Sequence, residues 1–153
     1  MKHYKDTLNN IYAYESDGSQ DAFIKEGLVP ISDEDLSILR APTAGQLLSQ
    51  LSAARKAQEQ QGVVINGIRY AGDPGNRQAL QEAIAFMDDA GLTEFESWKD
   101  SDDEFHVNHP LADVFDACRA IGIRRVALIA AEGEYAAQII AGTLTDLTEV
   151  VWP

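Results

Sequence analysis

The chain reads as an α+β protein: a small N-terminal β-hairpin module, a helical connector, and a C-terminal region of β-hairpins plus helices. Three observations predict this. Short β-branched or aromatic runs flank the turn-forming dipeptides Asn9-Asn10 and Asn66-Gly67. Cap residues at Ser32 and Asp73 precede stretches with helical apolar spacing. The last third is dominated by apolar residues at helical intervals.

In order, His3-Tyr4-Lys5 and Ile11-Tyr12-Ala13-Tyr14 are β-prone, and Asn9-Asn10 tolerates the positive φ of a hairpin turn. Asp17-Gly18-Ser19 is a further turn. Phe23-Ile24 reads as a short third strand or as an anchor on the sheet. Gly27 and Pro30 then bend the chain. Ser32 opens a short helix with Asp33, Glu34 and Asp35 in its first turn, where carboxylates favour the helix dipole. Arg40-Ala41-Pro42 ends it, because a residue before proline is pushed out of the helical region.

Thr43 is expected to cap a second helix over 44–60. Its apolar stripe, Leu47, Leu48, Leu51 and Ala54, is narrow. That predicts a connector, or one strand of a coiled coil in a homo-oligomer. Packing on the chain's own hairpins is the alternative. Val63 to Tyr70 is a hairpin around Asn66-Gly67, the preferred two-residue type I′ turn. Asp73-Pro74 reads as N-cap and first helical residue, Leu80, Ile84 and Met87 share a face, and Gly91 stops the helix.

Phe95 to Trp98 and Glu104 to Val107 suggest another hairpin, joined by the acidic turn Asp100-Ser101-Asp102-Asp103. Leu111, Val114, Phe115, Cys118 and Ile121 then share a helical face, with Gly122 a candidate kink or break. Arg124 to Ala130 fits a helix or a buried strand, and the Ala-rich continuation favours helix. The expected domains are 1–42, a connector at 43–61, and 62–153.

The 153 residues, 45% of them hydrophobic, are enough for a packed core, and the formal net charge is −13. Such a charge argues against a phosphate-backbone binder, which needs a basic surface, so no nucleic acid partner is expected. An acidic DNA mimic acting as a host inhibitor is an alternative. Mimics line carboxylates along whole faces, whereas here they are scattered except near 94–104. No apolar run reaches the roughly 18–20 residues that span a bilayer, and the first residues lack a signal peptide's apolar stretch. No membrane partner is expected, and the expected compartment is the cytosol.

No catalytic motif stands out. Cys118 is the single cysteine and lies on an apolar face, so it reads as a buried thiol and rules out an internal disulfide. His106-x-x-His109 with its upstream acids resembles a metal set, but the pair spans a strand end and Pro110, so no metal is expected. The better reading puts Asn108 or His109 at a strand-to-helix turn. Asp100-x-Asp102-Asp103 is superficially similar to a calcium loop but lacks its Gly and terminal Glu. Gly72 to Arg77 carries neither a Walker lysine nor spaced Rossmann glycines. Neither enzyme activity nor a cofactor is expected.

The aromatic residues are the sharper signal. Tyr4, Tyr12, Tyr14 and Phe23, with Ile24, crowd the first forty residues, and Tyr12 and Tyr14 share a strand face. They read either as one small core or as a partner-binding patch.

The ordered string Tyr4-Lys5-Asp6, Tyr12-Ala13-Tyr14-Glu15-Ser16-Asp17-Gly18-Ser19-Gln20-Asp21 and Gly27-Leu28-Val29-Pro30-Ile31-Ser32 resembles the N-terminus of tailed-phage tail fibre assembly proteins, over about residues 3–40. More loosely, Asn66 to Tyr70, the capped helix with Arg77 and Ile84, Trp98, and the helix after Val107-Asn108 resemble a phage-associated C-terminal domain of unknown function. The resemblance implies a phage or prophage accessory protein that assists tail fibre folding or attachment. It implies a fibre protein as partner and the cytoplasm of an infected or lysogenic bacterium as location. The alternative is retention in the virion as a structural tail-tip component. It implies no catalytic residues.

Overall fold

The computed structural model describes all residues, Met1–Pro153, and the fold is α+β. Two compact units divide the chain, Met1–Thr43 and Ala44–Pro153. No helix is long and apolar enough to cross a membrane.

The first unit is a three-stranded antiparallel sheet followed by one helix. Strand β1 (Lys2–Lys5) lies between β2 (Ile11–Tyr14) and β3 (Val29–Pro30). The hairpin register pairs Tyr4 with Tyr12 and Lys2 with Tyr14. Its turn rests on Asp6, whose carboxylate accepts from the backbone N–H groups of Leu8 (2.8 Å) and Asn10 (2.9 Å), while Asn9 takes the expected positive φ of 62°.

The third strand differs from expectation. Phe23 and Ile24 do not form it: Asp21–Phe23 closes a 3₁₀ turn, with Phe23 N–H donating to the Gln20 carbonyl at 2.9 Å. Gly27, at φ 86°, then reverses the chain and lays Val29 beside Lys5. Pro30 is tolerated because it sits at the sheet margin, where no ladder donor is required. Ile31 N–H extends the pairing to the His3 carbonyl at 2.9 Å. Helix α1 (Asp33–Arg40) follows, with the Ser32 hydroxyl accepting from the Asp35 N–H at 3.0 Å and donating to its carboxylate at 2.8 Å. Leu36 is its buried residue.

The second unit holds α2 (Ala44–Gln61), the hairpin β4 (Val63–Ile65) and β5 (Ile68–Tyr70), α3 (Pro74–Asp89), the hairpin β6 (Glu94–Lys99) and β7 (Phe105–Pro110), and α4 (Leu111–Ile140). Asn66 and Gly67 both have positive φ, as a type I′ turn requires. The Asp73 carboxylate accepts from the Gly75 and Asn76 N–H groups, with Pro74 as first helical residue.

Helix α4 is continuous for 30 residues, straight through Gly122 and through Arg124 to Ala130. Two cores form along it. Near its start, Val114, Ala117 and Ile121 pack with Tyr70 and Leu80, flanked by both hairpins. Near its end, Ile139 and Leu144 pack with Leu47 and Leu51. The expectation of a separate connector at 43–61 is thereby corrected. The narrow leucine stripe of α2 is buried against α4, so the helix is part of the core. The leucines expected to drive oligomerisation are covered within the chain.

Two glycines set how closely these parts approach. A Cβ on Gly62 would lie 1.8 Å from the Tyr70 carbonyl oxygen, and one on Gly72 would lie 2.2 Å from that of Glu59. Arg124 closes the same corner, donating to the Gly62 carbonyl at 2.5 Å and the Gln58 side chain at 3.2 Å. The C-terminal end of α2 thus has its free carbonyl met by a cation on α4.

Candidate partner-binding site

The first unit gathers three of the five residues singled out above. Tyr4 and Tyr12 are cross-strand partners, and Tyr14 lies diagonal to Tyr4 on the same face. The Tyr4 and Tyr14 rings meet edge to face, 5.6 Å between centroids. Each tyrosine is half-buried. The Tyr12 hydroxyl donates to the Asp6 carboxylate at 3.2 Å, and the Lys25 ammonium lies 5.3 Å from the Tyr12 ring centroid. Asn10, its backbone and the Tyr12 hydroxyl hold the Asp6 carboxyl below its usual range, and the same contact pushes the Tyr12 phenol up.

Phe23 does not join this cluster. It is 73% exposed at the end of the 3₁₀ turn. Ile24, next to it, is half-buried. The turn is tied to the sheet by Lys2, whose ammonium contacts the Asp21 carboxylate at 2.7 and 2.9 Å. Gln20 also accepts from the Glu15 N–H at 2.9 Å. These links hold the exposed Phe23 in a fixed relation to the tyrosine face.

On the far side, β2 pairs only with β1, so its outer edge offers unpaired backbone donors and acceptors. Leu8, at the hairpin turn, and Val29, on the opposite margin, are exposed apolar residues. The unit thus presents a strand edge, a ring face and isolated apolar anchors. These are the elements of strand-addition recognition, in which backbone bonds supply affinity and side-chain anchors supply selectivity.

The second unit holds a polar cluster at the strand-to-helix junction the sequence predicts. His109 directly precedes Pro110, the N-cap of α4. It lies in β7, 2% exposed, with its Nε2 2.6 Å from the Tyr70 hydroxyl and its ring stacked on Trp98. Burial pushes the His109 imidazole down and the Tyr70 phenol up to about 12, so both stay neutral at pH 7. The inward residues of this hairpin do not alternate: Phe95 and Trp98 on β6 are three positions apart, as are their cross-strand partners His109 and His106 on β7, where Asn108 takes a positive φ of 51°.

His106 instead pairs with Asp100 at 2.8 Å. Asp100 also accepts from the Asp102 and Glu104 N–H groups, at 2.8 and 2.9 Å, and its carboxyl is held below the usual range, chiefly by His106. Asp102 is bound by Arg69 at 2.6 Å. The acidic turn is therefore an internally satisfied knot. No group of three or more His, Cys, Asp or Glu side chains is placed to hold a metal ion. The cavity of about 50 Å³ beside Tyr70, Trp98 and Ser101 has room for little more than water. Cys118 is half-buried against the first core of the second unit.

Set against known proteins, residues 42–151 match a family described as a domain of unknown function, DUF4376. No curated protein and no solved structure matches the chain.

Proposed function

We propose, from the premise that the chain belongs to the DUF4376 family through residues 42–151, that it acts by binding another protein and not by catalysis. Its partner is a phage tail fibre protein, and its role is that of a fibre assembly accessory. The observation that carries this reading is the open edge of β2 beside the Tyr4–Tyr12–Tyr14 face, in a unit compact on its own. Fibre proteins are rich in β-structure, and an incompletely folded one exposes strands that such an edge can pair with. The likeness of residues 3–40 to tail fibre assembly proteins supplies the partner class. A net charge of −13 keeps the bound complex from aggregating. The site of action under this reading is the cytoplasm of an infected or lysogenic bacterium.

The test is co-expression with the fibre gene encoded beside it, followed by purification through a tag on this protein. Co-elution, with more soluble trimeric fibre than fibre expressed alone yields, supports the reading. Replacing Phe23 with Asp and placing Pro at Ala13 should then abolish co-elution while leaving the second unit folded. Fibre that folds equally well alone, with nothing co-eluting, would sink it. A fibre-bound protein that persists in purified virions would favour a structural tail-tip component instead.

A further inference from the structure

Helix α4 buries one side and leaves another bare. Phe115 is 56% exposed, Val126 69%, Ile129 41% and Ile140 74%. With Arg119, Gly122, Gly133 and Ala136 these positions recur in alternating steps of four and three along the helix, the spacing of a coiled-coil seam, and of them Ala136 is half-buried against the second core. Ile123, also exposed, lies alongside with Ala130 and Ala137. The face covers about a third of the helix circumference. Arg119 is the one charged residue on it, in a chain carrying 37 charged side chains, 12 basic and 25 acidic.

The glycines add a separate observation. Glycine weakens a helix interior, so it needs a reason there. Nothing in the chain supplies one: a Cβ at Gly122 or at Gly133 would meet no atom within 4 Å. Both lie on the bare apolar face. A helix backbone approaching from outside is what would require their smallness.

The pattern also has a symmetry. About the midpoint between Ala127 and Leu128, Val126 mirrors Ile129, Gly122 mirrors Gly133, and Phe115 mirrors Ile140. We propose that α4 pairs with the α4 of a second copy, antiparallel about a two-fold axis at this midpoint. Each contact then occurs twice, as a two-fold interface demands. Val126 meets Ile129 at the centre, Gly122 meets Gly133 on either side, and Phe115 meets Ile140 at the ends. Arg119 of one copy comes opposite Ala136 of the other, within reach of the second copy's Glu134 on the same flank.

The groove beside Phe115, about 350 Å³ between α3 and α4 and lined by Ile84, Ala85, Leu111 and Cys118, then receives the second copy's Ile140. From Phe115 to Ile140 the strip runs about 37 Å along the axis.

This inference does not depend on fibre binding and is tested without fibre. Sedimentation velocity on the full chain should give a dimer at about 10 μM and above. Val126→Glu should give a monomer with unchanged circular dichroism, because the residue touches no core. Gly122→Leu, which meets nothing within the protomer, should fold and weaken dimerisation by about tenfold or more. For orientation, copies carrying Phe115→Cys and copies carrying Ile140→Cys, each in a Cys118→Ala background, are mixed and oxidised. Antiparallel pairing gives a disulfide-linked dimer only in the mixture. A wild-type monomer throughout, a dimer indifferent to Val126→Glu, a larger assembly, or Phe115→Cys copies that link to one another would each overturn the proposal. So would release of the first unit from this face by Val126→Glu in a monomer, which would mean that the chain covers α4 with its own N-terminus.

Discussion

Gly62 adopts φ 70° with the Tyr70 carbonyl where a side chain would stand. Gly62→Ala should therefore lower stability by about 3 kcal/mol or more, read from urea unfolding, since both the backbone region and the space are denied to alanine. His109 makes a prediction of a different kind. Its imidazole is held below its ordinary value by burial, which outweighs the opposing pull of the Asp113 carboxylate, with His106 adding to the lowering. The unfolded chain takes up this proton near pH 6.5 and the folded chain only lower. Stability is thus fully present above pH 6.5 and is lost as pH falls from there toward the folded value. Thermal midpoints should drop between pH 7 and pH 5, and His109→Phe should flatten that slope. Asp100, held low by His106 and two backbone N–H groups, acts in the same direction but only below about pH 4. At this scale the sequence was half legible. The caps at Ser32 and Asp73 are local chemistry and sit where their neighbours predict. His109 was not legible, because its partners Tyr70 and Trp98 reach it only through the folded hairpins.

Elements show the same division. Both hairpins of the second unit and α3 follow from turn residues and periodicity that lie within a few positions of each other. Strand β3 did not, because it is two residues long and exists only because β1 offers an edge. The role of α2 also escaped, since Leu47 and Leu51 look sparse until Ile139 and Leu144 arrive from the far end of the chain. Leu51→Ala should cost about 2–5 kcal/mol, measured by denaturant unfolding, because the side chain is fully buried between α2 and α4. A connector would lose almost nothing on that substitution, so the measurement separates the two descriptions. The tyrosine face was legible from the period-two spacing of Tyr12 and Tyr14. The exclusion of Phe23 from it was not, since that depends on a 3₁₀ turn closed by Gln20 and Asp21.

For the molecule as a whole, the division at Thr43 matters most. Both buried clusters belong to Ala44–Pro153 and draw on α4. A fragment of residues 44–153 should fold cooperatively, with a thermal midpoint within a few degrees of the full chain, checked by circular dichroism. A molten fragment would show that the first unit contributes to the second's core. The chemistry most open to an outside partner lies in the other unit, with its open edge and exposed Phe23. Under the proposed function, recognition and stability fall to different parts of the chain, and mutations should sort accordingly.

The pairing of α2 with the chain's last residues also orders events in time. A ribosome makes Leu47 and Leu51 well before Ile139 and Leu144, so those leucines wait without their cover until α4 has been made. The first unit needs no such wait, because its strands and helix are all made before residue 43. Under the proposed function, the nascent chain displays its sheet edge while the second unit is still open, and a partner made nearby can engage it before α2 and α4 have met.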